Sequence, residues 1–195
     1  METISVERQG TTINILGIPG SVSAQSLNVD LLGNAAREAP GDVVMTIYLE
    51  QGLWEMPPFE PGAVPSEDVD RLREAVESAD AIVVSTPEYN GSLPGGLKNA
   101  IDWIAASGGG SGEGPLSSKP AAVIGADRGR FGCDWAVADA RKVLEVAGAR
   151  VLPAELAIGG ADSAFAPDGA LAGSEHRAKL GALMELLALE ARAAD

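Results

Sequence analysis

Five short apolar runs, separated by longer stretches with helical spacing, set what this chain can fold into. They are TINILGI at 12–18, VVMTIY at 43–48, AIVVST at 81–86, AAVIGA at 121–126 and VLPAELAI at 151–158. Each is apolar at consecutive positions, as a strand must be when helices cover both faces of its sheet. Parallel strands need crossover connections, and each interval is long enough to hold a helix. In 66–79, Val69, Leu72, Ala75, Val76 and Ala79 recur at three- and four-residue steps. In 131–148, Trp135, Ala138, Val143, Leu144 and Ala147 form a similar stripe, and Gly148 is a natural stop. A first helix is expected from about Ser26 to Ala39, ended by Pro40-Gly41, with another over 96–105 and a last within 174–192. The alternation predicts a three-layer α/β sandwich built on five parallel strands.

The 195 residues suit one domain spanning 1–195, with flexible termini at about 1–10 and 190–195. Segments 52–65 and 107–115 read as mobile loops, the second because it is rich in Gly and Ser. A single cysteine, Cys133, excludes an internal disulfide framework and fits a reducing cytoplasm. No apolar run reaches a membrane span, and METISVERQG does not have the form of a signal peptide. The formal net charge of −14 argues against nucleic acid or an anionic membrane as partner. An anionic ligand must then be held locally, by backbone N–H groups or a few placed cations. No metal site is expected.

Three loops follow the carboxyl ends of strands, where open parallel sheets bind ligands. The first is GIPGSVSAQSLN, residues 17–28. Its serines Ser21, Ser23 and Ser26, then Leu27 and Asn28, surround a helix N-terminus, which suits a phosphate. It lacks the GK[ST] of a P-loop and the GxGxxG of a dinucleotide fold. Simple capping by Ser23 or Ser26 explains the same residues. The second loop is PEYNGSLPG, residues 87–95. Pro87 and Pro94 stiffen it, while Gly91 and Gly95 permit close approach or positive φ. Its main chain, with Glu88, Tyr89 and Asn90, can line the edge of a flat heterocycle. The third is GADRGRFGCD, residues 125–134, where Asp127, Arg128, Gly129 and Arg130 stand near the other two.

Together these loops resemble the NADPH-dependent FMN reductase family, whose members share GS-x-R-x-x-S-x-N and PEYN-x-S-x-PG-x-LKNAIDW segments. This chain reads GSVSAQSLN at 20–28 and PEYNGSLPGGLKNAIDW at 87–103. The resemblance covers almost the whole chain. It implies a flavodoxin-like three-layer sandwich with strand order 2-1-3-4-5. It implies FMN as cofactor and NADPH or NADH as reductant. The phosphate would sit on Ser21, Ser23, Ser26 and the N–H groups through Leu27 and Asn28. The isoalloxazine would rest against Pro87, Glu88, Tyr89, Asn90 and Gly91, with Asp127, Arg128 and Gly129 at its pyrimidine end. Lys98, Asn99 and Trp103 would brace the helix they stand on. Glu88 would turn away from the ring or pair with an arginine.

Ser23 stands where the family usually carries arginine, and Asp127-Arg128 where it carries small residues. The implied activity is an FMN-dependent NAD(P)H oxidoreductase acting on a quinone, free flavin, azo compound or metal oxyanion. No side chain need be catalytic, because the cofactor carries the chemistry. His176 reads as a surface residue and Cys133 as a small packing residue. The family also implies a homodimer or tetramer, with 52–65 as a segment that covers a neighbour's site or folds back on its own chain. Other readings fit the same motifs: a supplier of reduced FMN to a monooxygenase, a flavodoxin-like electron carrier, or a non-catalytic binding protein.

Overall fold

In the computed structural model, residues 12–21, 23, 25–49, 55–106, 114–129 and 132–194 are described. The strands are β1 (Ile13–Pro19), β2 (Val43–Ile47), β3 (Ala81–Thr86), β4 (Pro120–Ala126) and β5 (Arg150–Ile158). The helices are α1 (Leu27–Glu38), α2 (Glu67–Ser78), α3 (Gly95–Ala105), α4 (Asp134–Val146) and α5 (Ser174–Arg192). All strand pairs are parallel, in the order β2-β1-β3-β4-β5. This is the flavodoxin-like topology, and its switch point lies between β1 and β3.

Alternation along the central strands divides the core in two. Ile82 and Val84 of β3, with Ala121 and Val123 of β4, meet α2, α3 and α4 through Leu72, Ile101, Trp103 and Val137. Ala81, Val83, Ala122 and Ile124 point the other way, onto Leu31 and Leu32 of α1 and Leu180, Met184 and Leu187 of α5. β3 and β4 are buried at every position, as their unbroken apolar runs predict. β2 and β5 are not. As the sheet's edges they are only partly covered: β2 has no fully buried residue and an exposed Val44, and β5 buries Leu152, Leu156 and Ile158.

The stripe expected in 131–148 holds toward its end, where Leu144 is buried and Val143 and Ala147 pack against the core, and fails at its start. Ala136, Val137, Ala140 and Leu144 are buried in α4, whereas Trp135 is 68% exposed. The helix begins at Asp134, and only a face including 136, 137, 140 and 144 can meet the sheet. Within 190–195, expected to be a flexible end, α5 runs to Arg192 and Ala191 is buried. Residues 1–10, the other expected flexible end, lie outside the described residues, as do Trp54, Arg130 and most of 107–115.

Part of the 52–65 segment is fixed within the chain. The Pro57 carbonyl accepts from Asn99 Nδ2 (3.0 Å) and Trp103 Nε1 (2.8 Å), and Phe59 N–H donates to Asn99 Oδ1 (2.7 Å). The rings of Phe59 and Trp103 meet edge to face at 5.2 Å. Residues 57–59 are therefore strapped to α3 by its own Asn99 and Trp103. Lys98 pairs with Asp102 one turn on.

Candidate functional site

β1, β3 and β4 end at the same edge of the sheet, and their three loops converge there. The convergence depends on one buried side chain. Asn28 Oδ1 accepts from Ser85 Oγ (2.9 Å) and Ala126 N–H (3.0 Å), while its Nδ2 donates to the Ala126 carbonyl (3.0 Å). Asn28 thus ties the start of α1 to the ends of β3 and β4. Both acceptor sites of its Oδ1 and one Nδ2 hydrogen are engaged in that role.

The start of α1 combines capping with an open donor set. Ser26 Oγ accepts from Val29 N–H (3.3 Å) and donates to the Ser21 carbonyl (2.7 Å). The N–H groups of Val29 and Asp30 also reach the Ser26 carbonyl. Among the described residues, the N–H groups of Leu27 and Asn28 have no partner. Capping of α1 by Ser26, one of the two explanations of the serine-rich loop, is therefore real.

The second loop is a hairpin that the sequence states and the reading of it missed. Tyr89 and Ser92 exchange main-chain hydrogen bonds (2.9 and 3.2 Å) around Asn90 and Gly91. Both central residues have positive φ, 54° and 77°. An Asn-Gly pair favours this two-residue turn because neither residue pays heavily in steric strain there. Gly91 also lies under the Trp135 ring, where a Cβ would come within 3.2 Å of Cε3. The hairpin presents Tyr89, 52% exposed, at the rim of the site.

Asp127 joins the second loop to the third. Its Oδ1 accepts from Gly129 N–H (2.6 Å) and its Oδ2 from Glu88 N–H (3.3 Å). The Glu88 main-chain donor, expected to face a ring edge, is thus engaged within the protein. Among the described residues, the Glu88 side chain pairs with no arginine. Its Oε2 accepts from Ala136 N–H (3.3 Å), in the first turn of α4. Cys133, at the cap position of α4, is fully buried, and burial pushes its thiol up to about 12 from an ordinary value of 9.0. The carboxylates of Asp127, Asp134 and Glu88 add to that rise. The thiol is inert packing, not a nucleophile. His176 stands on the first turn of α5 and lines neither cleft.

Two clefts result. One, of about 150 Å³, is lined by Ser21, Ser23, Gln25, Ser26, Leu27, Asn28, Pro87, Tyr89, Ala126, Asp127 and Arg128. The other, of about 500 Å³, adjoins it between α1 and residues 161–169. Ser23, Gln25, Ser26, Leu27 and Arg128 line both. Neither Gln25 nor the 161–169 wall stood out in the sequence, because no local pattern marks residues that meet only through the fold. Glu88, Asn90, Gly91 and Gly129 do not line the smaller cleft; they shape the loops beside it.

Hydroxyls and free N–H groups at a helix start, with an aromatic rim at a β1/β3 switch point, define a flavodoxin-like cofactor-binding protein. The donor set fits an FMN phosphate, and the Pro87–Tyr89 wall fits a flat ring. Comparison with known proteins agrees. The profile of the NADPH-dependent FMN reductase family matches residues 13–163. An NAD(P)H-dependent FMN reductase of Pseudomonas aeruginosa is 35% identical over 183 residues, covering 92% of this chain and 96% of its own. A quinone reductase of Escherichia coli is 30% identical over 124 residues, 62% of this chain and 63% of its own. Among solved structures, the flavoenzyme NAD(P)H:(acceptor) oxidoreductase of Paracoccus denitrificans superposes with a TM-score of 0.79 at 28% identity, covering 93% of this chain and 98% of its own. The chain belongs to the NADPH-dependent FMN reductase family. It is an oxidoreductase that uses FMN and a reduced nicotinamide nucleotide.

Proposed function

We propose that the smaller cleft is the FMN site and that the enzyme passes electrons to a small diffusible acceptor: a quinone, free flavin, azo compound or metal oxyanion. The carrying observation is the meeting of all three loops at one cleft, from Ser21 to Arg128. The N–H groups of Leu27 and Asn28, with the hydroxyls of Ser21 and Ser23, hold the phosphate at the positive end of α1. Ser26 keeps those donors in place by capping the helix. Pro87, Tyr89 and the turned main chain at Asn90-Gly91 form one wall for the ring, with Glu88 anchoring that loop to α4. Asp127 and Gly129 set the distance between that wall and the third loop.

Held by Ser21, Ser23 and the Leu27 and Asn28 N–H groups, FMN would supply the two-electron redox chemistry between the nicotinamide and the acceptor. The titratable groups lining the clefts among the described residues are Tyr89, Arg128 and the carboxylates of Asp30, Asp127, Asp162 and Asp168, and this chain binds and orients the cofactor. The chain works in the cytoplasm as a homodimer or dimer of dimers. The exposed Trp135 and Tyr89 beside the cleft support a covering subunit, and the reduced, buried Cys133 supports a reducing compartment.

An absorbance titration tests the assignment. Added FMN should bind and then bleach under NADPH or NADH without oxygen, and Tyr89→Ala should weaken FMN binding. Unaltered binding in that variant would move the site elsewhere. One observation favours a second reading, in which reduced FMN is released to another enzyme. Position 23 carries no cation, and Arg128, the one cation lining the cleft among the described residues, is engaged by an acid. Loss of FMN on gel filtration, with turnover restored by free FMN, would select that reading.

A further inference from the structure

Arg128 is the single cation lining either cleft among the described residues, whereas Asp30, Asp127, Asp162 and Asp168 all line one or the other. Its Nε donates to Asp162 Oδ1 at 2.8 Å. Its two terminal nitrogens have no partner among the described residues. Asp162 sits on a short 3₁₀ turn, Ala161–Ser163, that is fastened to the third loop. Gly160 N–H donates to the Gly129 carbonyl and Ala161 N–H to the Asp127 carbonyl, both at 3.1 Å. The acid is therefore presented to Arg128 by fixed backbone, not by chance contact of two surface chains. The side chains are 55% and 75% exposed, so the pair itself is weak and opens at little cost. Arg128 also borders the cleft that holds Ser21, Ser23 and the open N–H groups of α1.

We propose that Arg128 and Asp162 form a phosphate-selecting pair: Arg128 supplies the positive charge that position 23 lacks, and Asp162 competes with the flavin phosphate for it. The proposal rests on the FMN reading of the smaller cleft. It makes Asp162 a specificity-determining residue that touches no part of the ring. A phosphate bound side-on takes Nε and one terminal nitrogen of the guanidinium, so it gains a bidentate partner only by displacing Asp162 Oδ1 from Nε. Phosphorylated and unphosphorylated flavins are then told apart at Arg128. Asp162 lowers affinity for the phosphorylated form only, which keeps FMN exchangeable.

Fluorescence titrations with oxidised FMN and with riboflavin, at low salt, test this in the full chain. Riboflavin has the same ring without the phosphate. Arg128→Gln should weaken FMN binding about tenfold and leave riboflavin within twofold of wild type. Arg128→Lys should recover part of that loss. Asp162→Asn should tighten FMN several-fold and leave riboflavin unchanged. In the double variant the Asp162 effect should vanish, because it acts only through Arg128. Equal loss of FMN and riboflavin in Arg128→Gln would overturn the proposal, as would an Asp162→Asn gain that persists without Arg128 or no gain at all. Failure of the wild-type chain to bind either flavin would overturn the FMN reading itself, and this proposal with it.

Discussion

α1 and α4 begin at the same edge of the sheet, one after β1 and the other after β4, yet their first turns are treated oppositely. At α1 the cap is an uncharged hydroxyl, Ser26, and the Leu27 and Asn28 N–H groups have no partner among the described residues. At α4 the chain brings in a carboxylate from another loop: Glu88 accepts from Ala136 N–H. Beside it Cys133 stays protonated, although a helix start ordinarily favours a thiolate. Two helix starts of equal backbone polarity thus become one with open donors and one closed joint. The difference lies in side chains supplied from outside each helix. A helix N-terminus alone does not predict where an anion goes.

The contrast can be broken most severely at Asn28. Asn28→Ala leaves the Ala126 N–H and carbonyl and the Ser85 hydroxyl without their partner and should cost about 3 kcal/mol in urea denaturation. It should also weaken FMN binding, since α1 then loses its fixed position against β4. The closed joint can be tested by pH. The folded thiol keeps its proton up to about 12, while an unfolded one releases it near 9.0. Across that window the unfolded chain binds fewer protons, so stability falls as pH rises. Cys133 should contribute about 1.4 kcal/mol of loss per pH unit there, and Cys133→Ala should have a shallower slope than wild type in thermal melts. Removing the open cap, Ser26→Ala, should cost about 1 kcal/mol by the same denaturation measurement. Glu88→Gln should cost least, about 0.5 kcal/mol, and that difference should shrink in high salt. A larger loss at Glu88 than at Ser26 would reverse the comparison.

The sequence disclosed most of the frame and less of the site. β3 and its AIVVST run coincide, and α1 starts one residue after Ser26, because burial on two faces and capping chemistry both leave local marks. Trp135 looks like a core residue by size and apolarity, while the sheet needs the smaller Ala136 and Val137 on that face. Edge strands β2 and β5 look like central ones in sequence, since their position depends on pairing and not on composition. The Asn90-Gly91 hairpin carried a usable signal. The Asn28 staple, the Asp127 bridge and the Arg128–Asp162 pair carried none, because each partner lies between 34 and 98 residues away.

That separation also fixes the order in which the protein can come into being. Residue 28 reaches residue 126 only after β1, β3 and β4 have aligned, and closing so long a stretch of chain is slow compared with winding a helix. A nascent chain therefore has no nucleotide pocket to offer while it is still being assembled. The cofactor cannot template the early events; it can only reward the finished product by mass action, deepening the native well as its concentration rises.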